Sequence, residues 1–382
     1  MEVTSKSLLT NPALQRTGAL IKRLLLSEYF VLYLIIVYFL FLVPFLPTLS
    51  RPQNLSNLLS NTWPLLAVAI GQTFVLIFAG IDLSQGSIMA LTSVVGASIF
   101  ATAASEDVLF KSPLWGTIIT EEGGLLSNHP NAVLIGILVM FIVGVMIGFF
   151  NGVAIARFNM PPFMVTLVSL IFFSAVAIYL TQSENIRDLP EDYLRLGQGD
   201  IISIYIGEKT ESQIPRRDIY SLVTYPMLIA LGLAGVSHFI LNRTKFGRYV
   251  YAIGINRRAA EISGVPTRSV IILIYMWSGF CATVGAILFS ARLEAGRPTL
   301  GAGTFLLDVI GATVIGGTSL FGGKGKITWT IFGVLFFVLL SNTLNLMNLS
   351  AFQIDMVKGA VILAAAALDV TRTRLLKRER AA

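Results

Sequence analysis

The residue with chemistry to offer is a carboxylate in an unusual place. Asp82 stands in FAGIDLSQGS, residues 78–87, where the apolar run WPLLAVAIGQTFVLIFAG ends, and no basic residue nearby in sequence answers its charge. An ionised carboxylate at the centre of a bilayer costs about 2.5–3.5 kcal/mol on insertion scales, and less near the end of a span. With Gly80 and Gly86 around it and Ser84 following, Asp82 is placed at the mouth of a span. There it can accept N–H bonds from the start of the next helix and hold a broken-helix turn. Catalytic chemistry has no other foothold. The chain has no GxxxxGK[ST] phosphate loop, no His/Glu metal motif and no nucleophile elbow. Cys281, the only cysteine, lies inside IILIYMWSGFCATVGAILF and reads as a packing residue. It excludes an intrachain disulfide and a cysteine-based metal cluster. His129 and His238 are far apart and outside any ligand-spaced motif. The expectation is no catalytic residue, no metal site and no cofactor bound by this chain.

The elements that must position Asp82 follow from composition. Of 382 residues, 55% are hydrophobic and 13% charged, with mean hydropathy +0.77, against about 25% charged in soluble domains. Several runs approach or exceed the roughly 18 apolar residues of a spanning helix. The alternating segments of about ten residues that mark a β-barrel are missing. The expected fold class is an all-α membrane protein, a polytopic bundle of about ten transmembrane helices with cytoplasmic N- and C-termini. The spans are predicted near residues 29–46, 64–80, 87–103, 132–156, 163–180, 220–241, 270–291, 305–316, 327–346 and 354–370. Small residues within them (Gly136, Gly144, Gly148, Gly279, Gly285) let helices approach closely.

Charge sets the orientation. The stretch 242–268 holds Arg243, Lys245, Arg248, Arg257, Arg258 and Arg268 against Glu261. The tail after Asp369 holds Arg372, Arg374, Lys377, Arg378 and Arg380 against Glu379, and Arg16, Lys22 and Arg23 precede the first span. The positive-inside rule puts all three in the cytoplasm and leaves the acid-rich insertions 105–131 and 183–218 outside. The net charge of +7 is accounted for in this way, and no nucleic-acid motif accompanies it. The organisation is a cytoplasmic lead-in over 1–28 that lacks a signal-peptide cleavage site, a transmembrane domain over 29–371 and a basic tail over 372–382.

The loop 242–268 has structure of its own. Asn256 is a good N-cap, RRAAEIS makes about two turns, Gly264 sits where a left-handed residue ends a helix, and Pro266 stops continuation. Such a capped helix standing off the membrane is a mechanical lever: Ala259 and Ala260 give a low-profile face, and Arg257, Arg258 and Glu261 offer charges to a groove. The plainer alternative is a positive-inside loop that happens to be helical.

The same loop, FGRYVYAIGINRRAAEISGV, resembles the coupling segment of ATP-binding-cassette importer permeases of the ribose type. FAGIDLSQGSIMAL, MPPFMVTLVSL, LLDVIGATVIGGTSLFGGKGKI and KGAVILAAAALD resemble further signatures of that family in the same order, so the likeness covers most of residues 64–369. Trp329 and Ile255 depart from it, each standing where the family usually has glycine, and both acid-rich insertions are longer than typical. The resemblance implies a multi-pass subunit of the bacterial cytoplasmic membrane that imports a monosaccharide or similar polyhydroxylated solute. It implies two ATPase subunits carrying ATP and Mg beneath, a second permease subunit, identical or homologous, and an extracytoplasmic sugar-binding protein. It makes Asn256, Arg257, Arg258, Ala259, Ala260, Glu261 and Gly264 the ATPase-coupling residues. A second role then opens for Asp82 and Ser84, lining the sugar path. Gln72, Thr73, Asn342 and Asn345 suit sugar hydroxyls, or bond neighbouring helices instead. VIGGTSLFGGKG echoes FAGIDLSQGS as an internal repeat would, and Asp308 reads as a first-turn acid favoured by the helix dipole. The alternative is a stand-alone secondary transporter or channel for a small polar solute. That needs ion-coupling acids inside spans, which are scarce here.

Overall fold

A backbone removed from water must bond within itself, and each of the ten apolar stretches forms a helix. The computed structural model describes residues 27, 29–205 and 219–381, with side chains of the final helix described as far as 367. The lead-in expected over 1–28, apart from Ser27, and the side chains of the basic tail lie outside the described residues. In chain order the apolar helices are α1 (Phe30–Leu42), α2 (Pro52–Ile77), α3 (Gln85–Phe100), α5 (Ala132–Arg157), α6 (Pro162–Thr181), α8 (Tyr225–Arg243), α11 (Thr267–Arg292), α12 (Phe305–Gly316), α13 (Ile327–Leu346) and α14 (Ala351–Ala381). Between them lie the short helices α4 (Glu106–Leu109), α7 (Glu191–Gln198), α9 (Lys245–Ile255) and α10 (Arg257–Ile262), and strands β1 (Asp200–Tyr205) and β2 (Ile219–Thr224). Among the described residues six helices, α2, α5, α6, α8, α11 and α13, are long and apolar enough to cross a membrane, while α1, α3 and α12 are apolar but shorter. The protein is a helical membrane protein.

Four features depart from the sequence expectation. First, α2 begins at Pro52 rather than Pro64, and Pro64 lies inside it; neighbouring helices make an internal proline tolerable in a membrane bundle. Second, the chain is not wholly helical: β1 and β2 form an antiparallel hairpin pairing Tyr205 with Ile219 and Ser203 with Ser221. Their sequences, DIISIY and IYSLVT, are rich in β-branched and aromatic residues. Third, that hairpin delays the sixth apolar helix to Tyr225, where Thr224 caps it by accepting from the Met227 amide at 3.3 Å. Fourth, the loop 242–268 holds two helices, α9 and α10, where one was expected.

The helices alternate between two ends of the bundle. At one end the loops 78–84, 158–161, 244–266 and 317–326 meet: the Gly323 amide donates to Ile77 O at 2.7 Å, the Tyr251 hydroxyl to Gly325 O at 2.7 Å, and Arg257 to Asn159 Oδ1 at 3.3 Å. The two segments read as echoes of one another, around Gly80 and Gly323, therefore touch. At the other end the acid-rich insertions meet, with the Thr102 amide on Asp188 O at 2.7 Å and a bridge between Ile186 and Gly296. The basic loop and the acidic insertions occupy opposite ends.

Two helices make the centre. In α2, residues 62–77 are buried throughout, and α11 is buried along most of its length. Close approach is set by glycine: a side chain on Gly152 of α5 would come within 2.7 Å of the Ile272 Cα on α11, the small-residue packing that membrane helices use in place of a hydrophobic drive.

Candidate functional site

Asp82 stands between the end of α2 and the start of α3, as its place in the sequence indicates, but it is buried rather than open. Beyond Ile77 the chain turns back into the bundle, with Ala79 left-handed at φ 69°, the Gly80 amide bonded to Val75 O at 2.9 Å and the Phe78 ring edge-on to Tyr275. The return carries Asp82 to Ser278, near the middle of α11. Asp82 Oδ2 accepts from the Ser278 hydroxyl at 2.6 Å. Its Oδ1 accepts from the Ser84 amide at 2.9 Å and the Ser84 hydroxyl at 2.6 Å. The expected capping of the next helix thus reduces to one N–H, that of Ser84, the residue before α3 begins. The network runs on: Asn151 Nδ2 donates to Ser84 Oγ at 2.9 Å, Ser169 donates to Asn151 Oδ1, and Gln85 Nε2 donates to Ser278 Oγ at 2.9 Å and to Val68 O at 3.2 Å. Asp82 is 1% exposed, and Ser84, Gln85 and Ser278 are fully buried. No Lys, Arg or His is among the donors to Asp82.

A second irregular segment enters from the opposite end. After α11, residues 293–304 run along α3: Ser93 Oγ donates to Arg297 O at 3.0 Å and accepts from the Arg297 amide at 3.2 Å. Gly301 lies against Gly86, where a side chain would come within 2.6 Å of Gly301 O. Then follows α12, whose twelve residues span only about 18 Å. Irregular backbone at membrane depth is tolerated only where protein buries it or it lines a cavity. One such segment leads into α3 and the other runs along it, so irregular backbone flanks this helix from both ends of the bundle.

Toward the insertion end the first turns of α2 line two chambers. The outer one, about 520 Å³, is walled by Gln53, Asn57 and Ser60 with Gln198, Tyr220 and Arg292. The inner one, about 260 Å³, is walled by Asn61, Phe289, Phe305, Asp308, Phe337, Asn342, Asn345 and Lys358. Between them Arg292 Nη1 donates to Asn61 Oδ1 at 2.7 Å. Asp308 and Lys358 form an ion pair at 2.8 Å with side chains 17% and 12% exposed. Lys358 also lies 5.6 Å over the Phe337 ring, and Asp308 Oδ1 is buried with no partner.

Of the other candidates, Asn342 exchanges two amide hydrogen bonds with Asn54 of α2, both at 2.9 Å. Asn345 reaches the inner chamber while bonding Ser341 O. Thr73 meets Thr330 of α13 at 2.7 Å. Gln72 is fully buried with neither amide atom partnered. Asp82 and Ser84 line neither chamber. Sequence reasoning missed the polar half of α2, Lys358 and Arg292. The signal for the first was present: in RPQNLSNLLSNT, polar residues 53, 57, 60 and 61 recur at helical spacing.

At the opposite end stands the loop between α8 and α11. Asn256 Oδ1 accepts from the Ala259 amide at 3.0 Å, and Gly264 is left-handed at φ 81° with open space where a side chain would go. Glu261 Oε1 accepts from the Thr267 hydroxyl at 3.0 Å and from Arg257 Nε at 3.3 Å. These bonds, the Thr267 one foremost, hold its carboxyl below the usual carboxylate range. Arg258 and Ala259 are exposed but Ala260 is buried, so only one of the two alanines adds to an open face; Ala260 packs inward as the anchor. The large apolar side chains out in the open are Ile255 and Ile262, 75% and 79% exposed.

Relatives fit these features. The chain is 31% identical to the ribose import permease protein of Bacillus subtilis, over 85% of this chain and 86% of that one. It is 27% identical to the D-allose transport system permease protein of Escherichia coli, over 90% of each. It is 28% identical to the xylose transport system permease protein of Haemophilus influenzae, over 84% and 90%. No solved structure matches the chain. A family model described as branched-chain amino acid transport system / permease component matches residues 54–366, most of the bundle. The chain belongs to that family of transport-system permease components.

Proposed function

We propose that this chain is the membrane permease subunit of an ATP-binding-cassette importer that moves a monosaccharide or similar polyhydroxylated solute into the cytoplasm. The names of its relatives, permeases for ribose, allose and xylose, support a sugar. The observation that carries the mechanism is the helix α10: capped at both ends, mostly exposed, with Ile255 just before it and Ile262 at its last position, at the end away from the acidic insertions. Apolar side chains beside Arg257 and Arg258 form a docking tip for a partner cleft. In this reading Asn256, Arg257, Arg258, Ala259, Glu261 and Gly264 couple the permease to ATPase subunits, which carry ATP and Mg. A second permease subunit and an extracytoplasmic binding protein complete the importer, in the bacterial cytoplasmic membrane. Ten spans with both termini cytoplasmic, and the division into 1–28, 29–371 and 372–382, are part of it. The alternating helix directions and the opposed charges of the two ends favour that topology.

The test is reconstitution. The chain with an ATPase and binding protein in liposomes is expected to take up D-ribose, D-xylose or D-allose only with ATP. Uptake by the chain alone would establish the stand-alone transporter instead. Gly264→Val forces a left-handed residue to carry a branched side chain, at a cost of about 1–2 kcal/mol. It should leave membrane insertion intact and separate ATP hydrolysis from uptake. Normal coupling in that variant would remove α10 from the mechanism.

A further inference from the structure

The inner chamber holds chemistry that coupling does not use. At about 260 Å³ it lies just below the roughly 300 Å³ where small-molecule sites begin, so it admits one small ring and little more. One side is aromatic: Phe289 and Phe305 stack with centroids 5.9 Å apart, and Phe337 joins them. The other side is polar, with amides from Asn61, Asn342 and Asn345 and the Asp308 carboxylate. A sugar ring has the matching form, an apolar C–H face and a rim of hydroxyls that donate and accept. The charges of Asp308 and Lys358 cancel, which suits a neutral ligand over a free ion. Asp308 Oδ2 is occupied by Lys358, but Oδ1 is buried and unpartnered, an acceptor without a donor. The Arg292–Asn61 bond lies between the chamber and the larger outer one, joining a residue of each wall. On α2, Asn61, Leu65 and Gln72 share one face by their spacing of four and seven, so the unpartnered Gln72 amide lies farther along the stripe that borders the chamber.

We propose that the inner chamber is a transit subsite for one monosaccharide ring, with Asp308 accepting its hydroxyls and the Asn61–Arg292 bond as the outer door. This rests on the sugar-import function above. Transit requires a passage that opens readily, and a door that is a single hydrogen bond meets that need.

The chain's single cysteine, Cys281, is buried, so Ser341→Cys on the chamber wall gives one addressable thiol in the full chain. The experiment labels that variant, assembled with its ATPase in proteoliposomes, with a membrane-impermeant maleimide in the presence of D-ribose, D-xylose, D-allose or L-leucine. The sugar that the importer carries should slow labelling, by about ten-fold at ten times its Kd, following the factor 1 + [L]/Kd. L-leucine should leave the rate unchanged. Asp308→Asn should weaken that protection, and Asn61→Ala should speed labelling without sugar by removing the door. If a sugar is imported but does not protect, the subsite is wrong while import stands. Protection by L-leucine would replace the ligand class with a zwitterion. If no sugar is imported with ATP, the function and the subsite fall together.

Discussion

Among the described residues the bundle holds two polar regions built on an aspartate, one buried and one partly buried, and they are made in opposite ways. Around Asp82 every carboxylate bond is to an uncharged protein donor and both carboxylate oxygens are engaged, although Gln85 Oε1 nearby stays without a partner. Around Asp308 the carboxylate has a cation on one oxygen and nothing on the other, and a cavity lies beside it. In the first, the carboxylate uses both oxygens to fix the returning chain between α2, α3, α5 and α11. The second keeps capacity in hand and leaves room for something to use it. A buried acid in a membrane protein is thus not one kind of feature: what decides its role is whether its lone pairs are already taken.

That contrast can be broken experimentally. Asp82→Ala orphans the Ser84 amide and the Ser84 and Ser278 hydroxyls. At about 1–3 kcal/mol for each buried group left unpaired, stability should fall by about 3 kcal/mol or more, with Asp82→Asn, which keeps one acceptor, losing less. Thermal unfolding in detergent measures both, and wild-type melting of the alanine variant would show that the cluster braces nothing. Lys358→Met comes next. Breaking a fully buried pair costs about 3–5 kcal/mol, reduced here to about 2 kcal/mol because both side chains keep some exposure. The double variant with Asp308→Asn should recover most of it, whereas no recovery would mean that Lys358 acts through packing on Phe337. Smaller still is the Asn54–Asn342 pair. A double-mutant cycle with alanine should return about 0.6 kcal/mol, the average for such bonds in membrane bundles; a value near zero would make the pair incidental.

The smallest effect sits outside both regions, at the tip of the loop between α8 and α11. Glu261 has a carboxyl held down by Thr267 and then Arg257. A depressed carboxylate contributes fully above its unfolded value, about 4.3, and the contribution is lost as pH falls through the lower folded value. Amide exchange of residues 257–264 should therefore be steady from neutral pH to about 5 apart from the intrinsic rate, with protection dropping below about 4. A loss beginning near pH 7 would point to another group.

Much of the architecture was legible because apolar length is a direct signal: all ten stretches are helices, several with boundaries within a residue or two. Pro64 misled, since proline reads as a start or stop but sits inside α2. The polar turns before it were passed over because hydropathy penalises the asparagines whose helical spacing puts them on one wall. The caps at Asn256 and Gly264 were readable since capping is local. Ser278 as the partner of Asp82, and Lys358 as the partner of Asp308, were not, because each pair is brought together only by packing. Asp82 itself was recognisable as exceptional, but its depth was not. A sequence shows that a chain turns, not that the turn folds back inward.

One contact in the outer insertion has a further consequence. Gln198, at the end of α7, donates to Arg292 O at 2.9 Å and to Glu294 at 2.8 Å, and Gly197 sits so near α11 that an added methyl would come within 2.6 Å of the Ala291 carbonyl carbon. The surface helix α7 is thus fastened to the backbone of the residue whose guanidinium bonds Asn61, so the outer insertion and the polar start of α2 share one rigid support.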